Sequence, residues 1–384
     1  MKKKRKARQF LLILLFCLCI PATVYAGEND YLNELTKSVD FSGLDDFMAD
    51  NQETQGGGLS FSGMVEQLLA NGIEGFDAGV ILSWVKDALL LEIETNRKIV
   101  IEVVLLAVGF SILKNFAGAF ESAYISELCF ILVYCVLAVM LLQSFGTFQE
   151  VATQALETSV EFMRVLIPTF CITMVFSAGA GTSAGFYQTA FIVIYLIQWI
   201  FLTVLIPLIH IYVLLELMNH FFEDEKFVNL TELLKVIICW SMKLSGCCVL
   251  GLNVVQSLVN PAKDRLLHGT VSKAAAMIPG VGNVVNGVSE LLLGSGIMIK
   301  NCVGAAALVI LVLIGLVPMI KIGCMAFFYK LAAVVSEPVT DKRIAGCLRG
   351  MAEGGVLYLK LMGYCLVMFF LTIALTTAVS GFIY

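Results

Sequence analysis

The feature that most constrains this chain is a succession of apolar runs, each about as long as a bilayer crossing. They lie near 99–113, 128–145, 160–178, 189–215, 233–259, 302–320 and 356–383 and carry few charges. A spanning helix needs about 20 apolar residues. In hydrocarbon each backbone N–H and C=O must be satisfied inside the segment, which makes such runs helices. Composition agrees, with 59% hydrophobic and only 14% charged residues, against about 25% charged in soluble domains. The sequence therefore predicts an all-α, polytopic helical membrane protein.

Three regions follow. MKKKRKARQ, FLLILLFCLCI and VYA read as the basic flank, apolar core and small-residue cleavage site of a signal peptide covering 1–26, removed after Ala26 and excluded from the fold. Residues 27–97 then form an acidic, extracytoplasmic, helix-prone segment, interrupted by the flexible tract NQETQGGGLS. Its second half sets Val80, Ile81, Trp84, Val85 and Ala88 on one helical face, expected to pack on the protein's own membrane domain. The acidic balance argues against nucleic-acid binding. Residues 98–384 form the transmembrane domain, with seven or eight crossings. The twelve cysteines include no C-x-x-C and read as small apolar packing residues.

The number of crossings turns on one stretch, AAMIPGVGNVVNGVSELLLGSGIMIKN at 275–301. FQEVATQALETSVEF and LMNHFFEDEKFVNLTE read as acidic outside loops, and NPAKDRLLHGTVSK as a basic inside loop. The segment 321–350 is also basic and also expected inside. Since one clear helix, 302–320, separates the two basic segments, VVNGVSELLLGSGIMI is expected to be a short crossing with Lys300 emerging outside. Proline spacing points the same way. Pro168 and Pro279 are 111 residues apart, as are Pro207 and Pro318, the latter pair in LIPLIHI and LVPMIKI. KLSGCC at 243–248 resembles KLMGYC at 360–365. Three crossings per copy predict inverted repeats, as in transporters whose broken helices meet near the midplane. The expected breaks are Pro168, Pro207, Pro279, Gly280, Gly282, Gly294, Gly296 and Pro318.

Ionisable groups at membrane depth are costly and often line a pathway. Glu102, Arg164, Lys243, Glu290 and Lys360 lie in or beside apolar runs. Arg164 and Lys360 can equally snorkel to headgroups. Glu290, Lys243 and Glu102, with Asn283 and Asn286, are the candidates for an intramembrane polar site. Other motifs carry less. GVGNVVNG has no preceding strand and so is no dinucleotide loop. GTSAG places Ser183 in G-x-S-x-G with His210 as the nearest base, but five small residues more often mark close helix packing. Glu216, His220, Glu223 and Asp224 read as a solvated turn, and no metal, cofactor or catalytic residue is expected.

KAAAMIPGVGNVVNGVSELLLGSGIMIKNCVG, LVPMIKI and YKLAAVVSEPVTDKRI, between the signal peptide with its acidic segment and the closing apolar helix, resemble the stage III sporulation protein AE family of endospore-forming bacteria. The resemblance implies a non-enzymatic component of a secretion-like channel complex between mother cell and forespore, needed for forespore development. It implies a place in the mother-cell-derived outer forespore membrane, with the N-terminal segment in the intermembrane space. Its implied partners are the other proteins of the same operon, including a cytoplasmic ATPase and ring-forming subunits, and a forespore membrane protein across the gap. The residues themselves support a transporter-like membrane core without its own ATPase. The alternatives are a membrane scaffold that anchors ring subunits and an intramembrane hydrolase using Ser183.

Overall fold

Long apolar periodic stretches give long helices here. The structure, a computed structural model, describes residues 39–51, 60–72, single helical positions between 86 and 112, and then 123–178, 180–221, 227–276, 282–338 and 342–379. Two short helices come first, α1 (Ser42–Asp50) and α2 (Phe61–Asn71). The bundle follows: α3 (Ala123–Ala178), α4 (Ala180–Leu196), a π-helical segment (Ile197–Leu205), α5 (Ile206–Phe221), α6 (Val228–Ala276), α7 (Gly282–Ser336) and α8 (Lys342–Val379). Five stretches are long and apolar enough to cross a membrane: Tyr134–Val175, Ala180–Phe221, Val228–Gln256, Gly294–Ser336 and Lys342–Ala378. The chain is thus an all-α protein with five candidate spans among the described residues. The expected run at 99–113 falls largely outside those residues, as do the signal peptide and the Trp84 face.

The last helix is the axis. α8 packs against α3, α4, α5, α6 and α7, and α7 packs in addition on α3. The contacts fix directions. Tyr212, Glu216 and His220 of α5 meet Glu353, Gly350 and Gly346 of α8 in reverse order, so those helices are antiparallel. Gly304, Gly315 and Gly323 of α7 meet Thr377, Leu366 and Leu359, again antiparallel. Lys235, Gly246 and Asn253 of α6 meet Glu353, Tyr364 and Thr372, which makes α6 and α8 parallel.

Close approach at α8 rests on small residues. Gly346, Gly350 and Gly354 recur every fourth position and face α5, where an added methyl group would strike His220, Glu216 and Val213 respectively. Gly355 faces Phe148 of α3 and Ala326 of α7. This small-xxx-small ladder lets helix backbones approach in a membrane, where hydrophobic burial supplies no driving force. Phe145 and Phe148 of α3, Phe170 and Phe369 are fully buried around the axis.

Several expectations change. FQEVATQALETSVEF is helix within α3, and no loop divides 128–145 from 160–178. The stretch 284–299 is neither a separate crossing nor a re-entrant loop, since its backbone runs on through Gly294, Gly296 and Pro318 to Ser336 in one helix. Helix α7 therefore separates the end of α6 from the start of α8, which lie at opposite ends of the bundle. Lys300 does not emerge outside; its side chain is completely buried. The inverted repeat is also corrected. The helices bearing Pro207 and Pro318 are both antiparallel to α8, so the two run the same way. The extra crossing that would have inverted the second copy is the part of α7 that is continuous with its neighbour.

Prolines behave according to what replaces the lost N–H. Pro168 and Pro318 sit inside continuous helices, as membrane helices allow when neighbours satisfy the freed groups. Before Pro207 the chain widens into the π segment, where the Ile206 N–H donates to Phe201 O and the Thr203 hydroxyl to Gln198 O at 3.2 Å. That wider turn accommodates a ring that crowds the preceding turn.

Of the acidic N-terminal segment, α1 and α2 dock on the bundle. Phe47 packs on Phe162 with ring centroids 5.6 Å apart, and the Thr169 hydroxyl donates to Asp40 O at 3.3 Å. Asp45 accepts from the Ser62 N–H at 3.0 Å, tying α1 to the first turn of α2. Helix α2 also packs on α7.

Candidate functional site

Within an apolar bundle the informative groups are polar and buried. They occur at successive heights along α8. Lowest, the Glu353 carboxylate accepts from the Tyr212 hydroxyl at 3.2 Å and pairs with Lys235 of α6. This ion pair is about half open to the surroundings, with side-chain exposures of 39% for Lys235 and 51% for Glu353.

One turn higher, His210 of α5 and Tyr358 of α8 both pack against the Phe145 ring, each with centroids 5.5 Å away. The His210 Nδ1 and Tyr358 Oη atoms are buried with no hydrogen-bond partner. A buried orphan polar group costs about 1–3 kcal/mol. Two such groups against one ring form the bundle's most frustrated point among the described residues.

Near the other end, Asn253 of α6 donates to the Thr372 hydroxyl at 3.1 Å and to Val249 O at 3.0 Å. Thr189 of α4 bonds Gln256 of α6. Highest, Lys300 of α7 donates to Thr377 O at 2.8 Å, within the last turn of α8. An amine there supplies a donor to the carbonyls of a helix's last turn. From Glu353 to Thr377 the climb is about 36 Å, close to the bilayer's hydrocarbon thickness of about 30 Å. Between Tyr358 and Thr372 the core is apolar, filled by Leu361, Met362, Cys365 and Phe369.

At the lower end, Tyr134 of α3 donates to Leu217 O and lies 3.0 Å from Cys347 Sγ. Glu216 and His220 are 3.7 Å apart on one face of α5, seated over Gly350 and Gly346. Among the described residues no group of three or more His, Cys, Asp or Glu side chains is placed to hold a metal.

The family model described as stage III sporulation protein AE matches residues 59–380. The chain belongs to that family. Stage III sporulation protein AE of Bacillus subtilis (strain 168) is 26% identical over 304 residues, covering 79% of this chain and 76% of that protein. No solved structure matches. The chain is thus a multi-pass membrane member of a sporulation family, and that family is not one of known enzymes.

Against this family background the expected site residues divide. Lys243 lies on α6, exposed, at the centre of its span, and Lys360 is exposed at the centre of α8. Glu102 is an exposed helical position. Asn283, Asn286 and Glu290 lie in the first turns of α7 as helical backbone, and their side chains are outside the described residues, as are Pro279 and Gly280. Gly282 begins α7. Arg164 is exposed and donates to Gln198 Oε1 at 2.9 Å. Ser183 and His210 do not meet. Ser183 donates to Cys171 O at 2.9 Å, and His210 lies about 40 Å away along the same span. The hydrolase pairing therefore fails on geometry.

The sequence reading missed Glu353, Tyr358, Asn253, Thr372 and the burial of Lys300. Glu353 and Lys235 were legible only as charges near helix ends, because their pairing links positions 118 residues apart. The glycine ladder was legible as G-x-x-x-G-x-x-x-G at 346–354.

Proposed function

We propose that this protein is the membrane core of a sporulation transport complex between mother cell and forespore, powered by a separate ATPase. The observation that carries the reading is the set of polar groups strung along α8 over about one bilayer thickness, buried from His210 and Tyr358 up to Lys300 and half open at the Lys235–Glu353 pair. Ionisable groups inside a membrane bundle, here His210 and Lys300, commonly mark substrate or ion paths. The apolar stretch between Tyr358 and Thr372 acts as the closed constriction of such a path, in the manner of hydrophobic gates. In this reading the Lys235–Glu353 pair and Tyr212 form one mouth, and Asn253, Thr372 and Lys300 form the other.

Orientation follows from the N-terminal segment. That segment docks on α3 at Phe162 and Thr169, toward the end opposite the turn that joins α7 to α8. With it in the intermembrane space, the turn around Glu337 and the basic residues Lys342, Arg343 and Arg349 face the mother-cell cytoplasm. The ATPase then engages this end. The segment 260–275 belongs to the other face, toward the ring-forming subunits and the forespore membrane protein.

A scaffold that anchors ring subunits is the second reading. It draws on the fully packed ring cluster of Phe145, Phe148 and Tyr358. The two separate on Glu353→Gln combined with Lys235→Met, which removes both charges at nearly the same side-chain size. The transport reading expects spore yield to fall at least tenfold with protein level unchanged. Normal yield at normal level leaves the scaffold.

A further inference from the structure

We propose that copies of this chain associate head to tail within the membrane: the acidic face of α3, centred on Glu150, seats against a basic face of the next copy at Lys243 and Lys360. The basic face comes first. Lys243 and Lys360 are exposed near the midpoints of the spans Val228–Gln256 and Lys342–Ala378. No ion pair engages either among the described residues. The two helices run parallel in a register of 118 to 119 residues, set by Lys235 on Glu353 and Asn253 on Thr372, which brings the two lysines to one height. They are also the matching first residues of KLSGCC and KLMGYC. Lys243 lies more than three helical turns from either end of its span, and Lys360 lies about two turns above the Lys235–Glu353 pair.

The acidic face is on the other side of α8. Glu150, Gln154, Glu157 and Glu161 are exposed along one stripe of α3, within the span Tyr134–Val175. The same stripe is apolar below, at Leu132 and Val136, and above, at Ile172 and Val175. Phe145 packs on Tyr358 and Phe148 faces Gly355, so Glu150 stands within about a turn of the height of Lys360. Helix α8 packs against both α3 and α6 and lies between them, so neither face can neutralise the other within one chain. Charges at membrane depth face a partner or water. A second copy, held at the same depth by the bilayer, brings opposite charge to each face at the right height. Contact between two different faces is heterologous, and forms a ring where the rotation between neighbouring copies closes. The inference needs the helices to cross a membrane and is independent of whether the protein transports anything.

Two differently tagged full-length chains, each with its native cysteines replaced, test it directly. One carries Glu150→Cys, the other Lys243→Cys or Lys360→Cys, and co-expressed membranes are treated with a short bifunctional maleimide. Cross-linked heterodimer is expected for both pairings, and none for Glu150→Cys with Tyr187→Cys on the exposed side of α4. Absence of the expected product, or equal cross-linking of Glu150→Cys with itself, overturns the arrangement in favour of a lone copy, a symmetric pair or another partner. Charge reversal is the second measurement, read as the mass of the purified protein in mild detergent. Glu150→Lys alone and Lys243→Glu with Lys360→Glu should each reduce the oligomer at least tenfold, and the three together should restore it. Failure of the combined variant to restore the oligomer also overturns the proposal.

Discussion

A single methyl group at Gly354 tests the packing of the axial helix. Its Cβ would meet Val213 Cγ2 of α5 on one side and Phe145 Cε2 of α3, at 2.9 Å, on the other. α8 cannot retreat from one without pressing on the other, so the overpacking term should be realised, about 1–3 kcal/mol. Against it stands the helix-propensity gain of Gly→Ala, about 1 kcal/mol. Gly251 of α6 supplies the reference, because a Cβ there meets nothing within 4 Å and the substitution carries only the gain. Gly354→Ala should therefore lie below Gly251→Ala by about 1–3 kcal/mol. Gly350→Ala should fall between them, since it meets the flexible Glu216 side chain. The assay is reversible unfolding in mixed micelles with increasing denaturing detergent, followed by helical circular dichroism. Equal midpoints for Gly354→Ala and Gly251→Ala would refute the idea that α8 is clamped between α3 and α5.

Two further outcomes follow from individual contacts. Lys300→Ala removes a buried stem and its bond to the Thr377 carbonyl, and should cost about 2–5 kcal/mol in the same unfolding assay; Lys300→Met keeps the stem and should cost clearly less. Asp40 accepts from the Ser42 hydroxyl at 2.6 Å and the Ser42 N–H at 3.0 Å, and these bonds hold its carboxyl below the usual aspartate range. A lowered folded value means the turn before α1 is supported above the ordinary pKa of about 4 and loses that support as pH falls through the folded value. Amide exchange at Ser42 should accelerate there, beyond its intrinsic pH dependence, and Asp40→Asn should abolish the extra step.

What the sequence could show depended on the range of the interactions. Apolar length and the absence of charge are local, and they gave the all-α membrane class and the approximate places of the spans from 128 onward. Continuity is not local. Pro168, Gly294, Gly296 and Pro318 look like breakers in isolation, yet neighbouring helices let α3 and α7 run through them. Because α7 is one continuous helix, the two basic segments on either side of it lie at opposite ends, and the charge rule cannot hold for both. The candidate site divides in the same way. Lys243 and Lys360 were visible as charges inside apolar runs. Glu353, Asn253 and Lys300 acquire meaning only from partners more than 70 residues away, and Tyr358 only from having none.

Tyr358→Phe is the most direct test of the claim that the polar interior serves function and not packing. The hydroxyl is buried without a hydrogen-bond partner, so deleting it should leave stability unchanged or raise it by about 1 kcal/mol. The measurement is heat-resistant spore yield in a spore-forming host carrying only the variant, alongside the amount of protein in the membrane. The account predicts normal or higher protein level with spore yield reduced at least tenfold. Full spore yield at normal protein level would contradict it and leave the bundle as a scaffold.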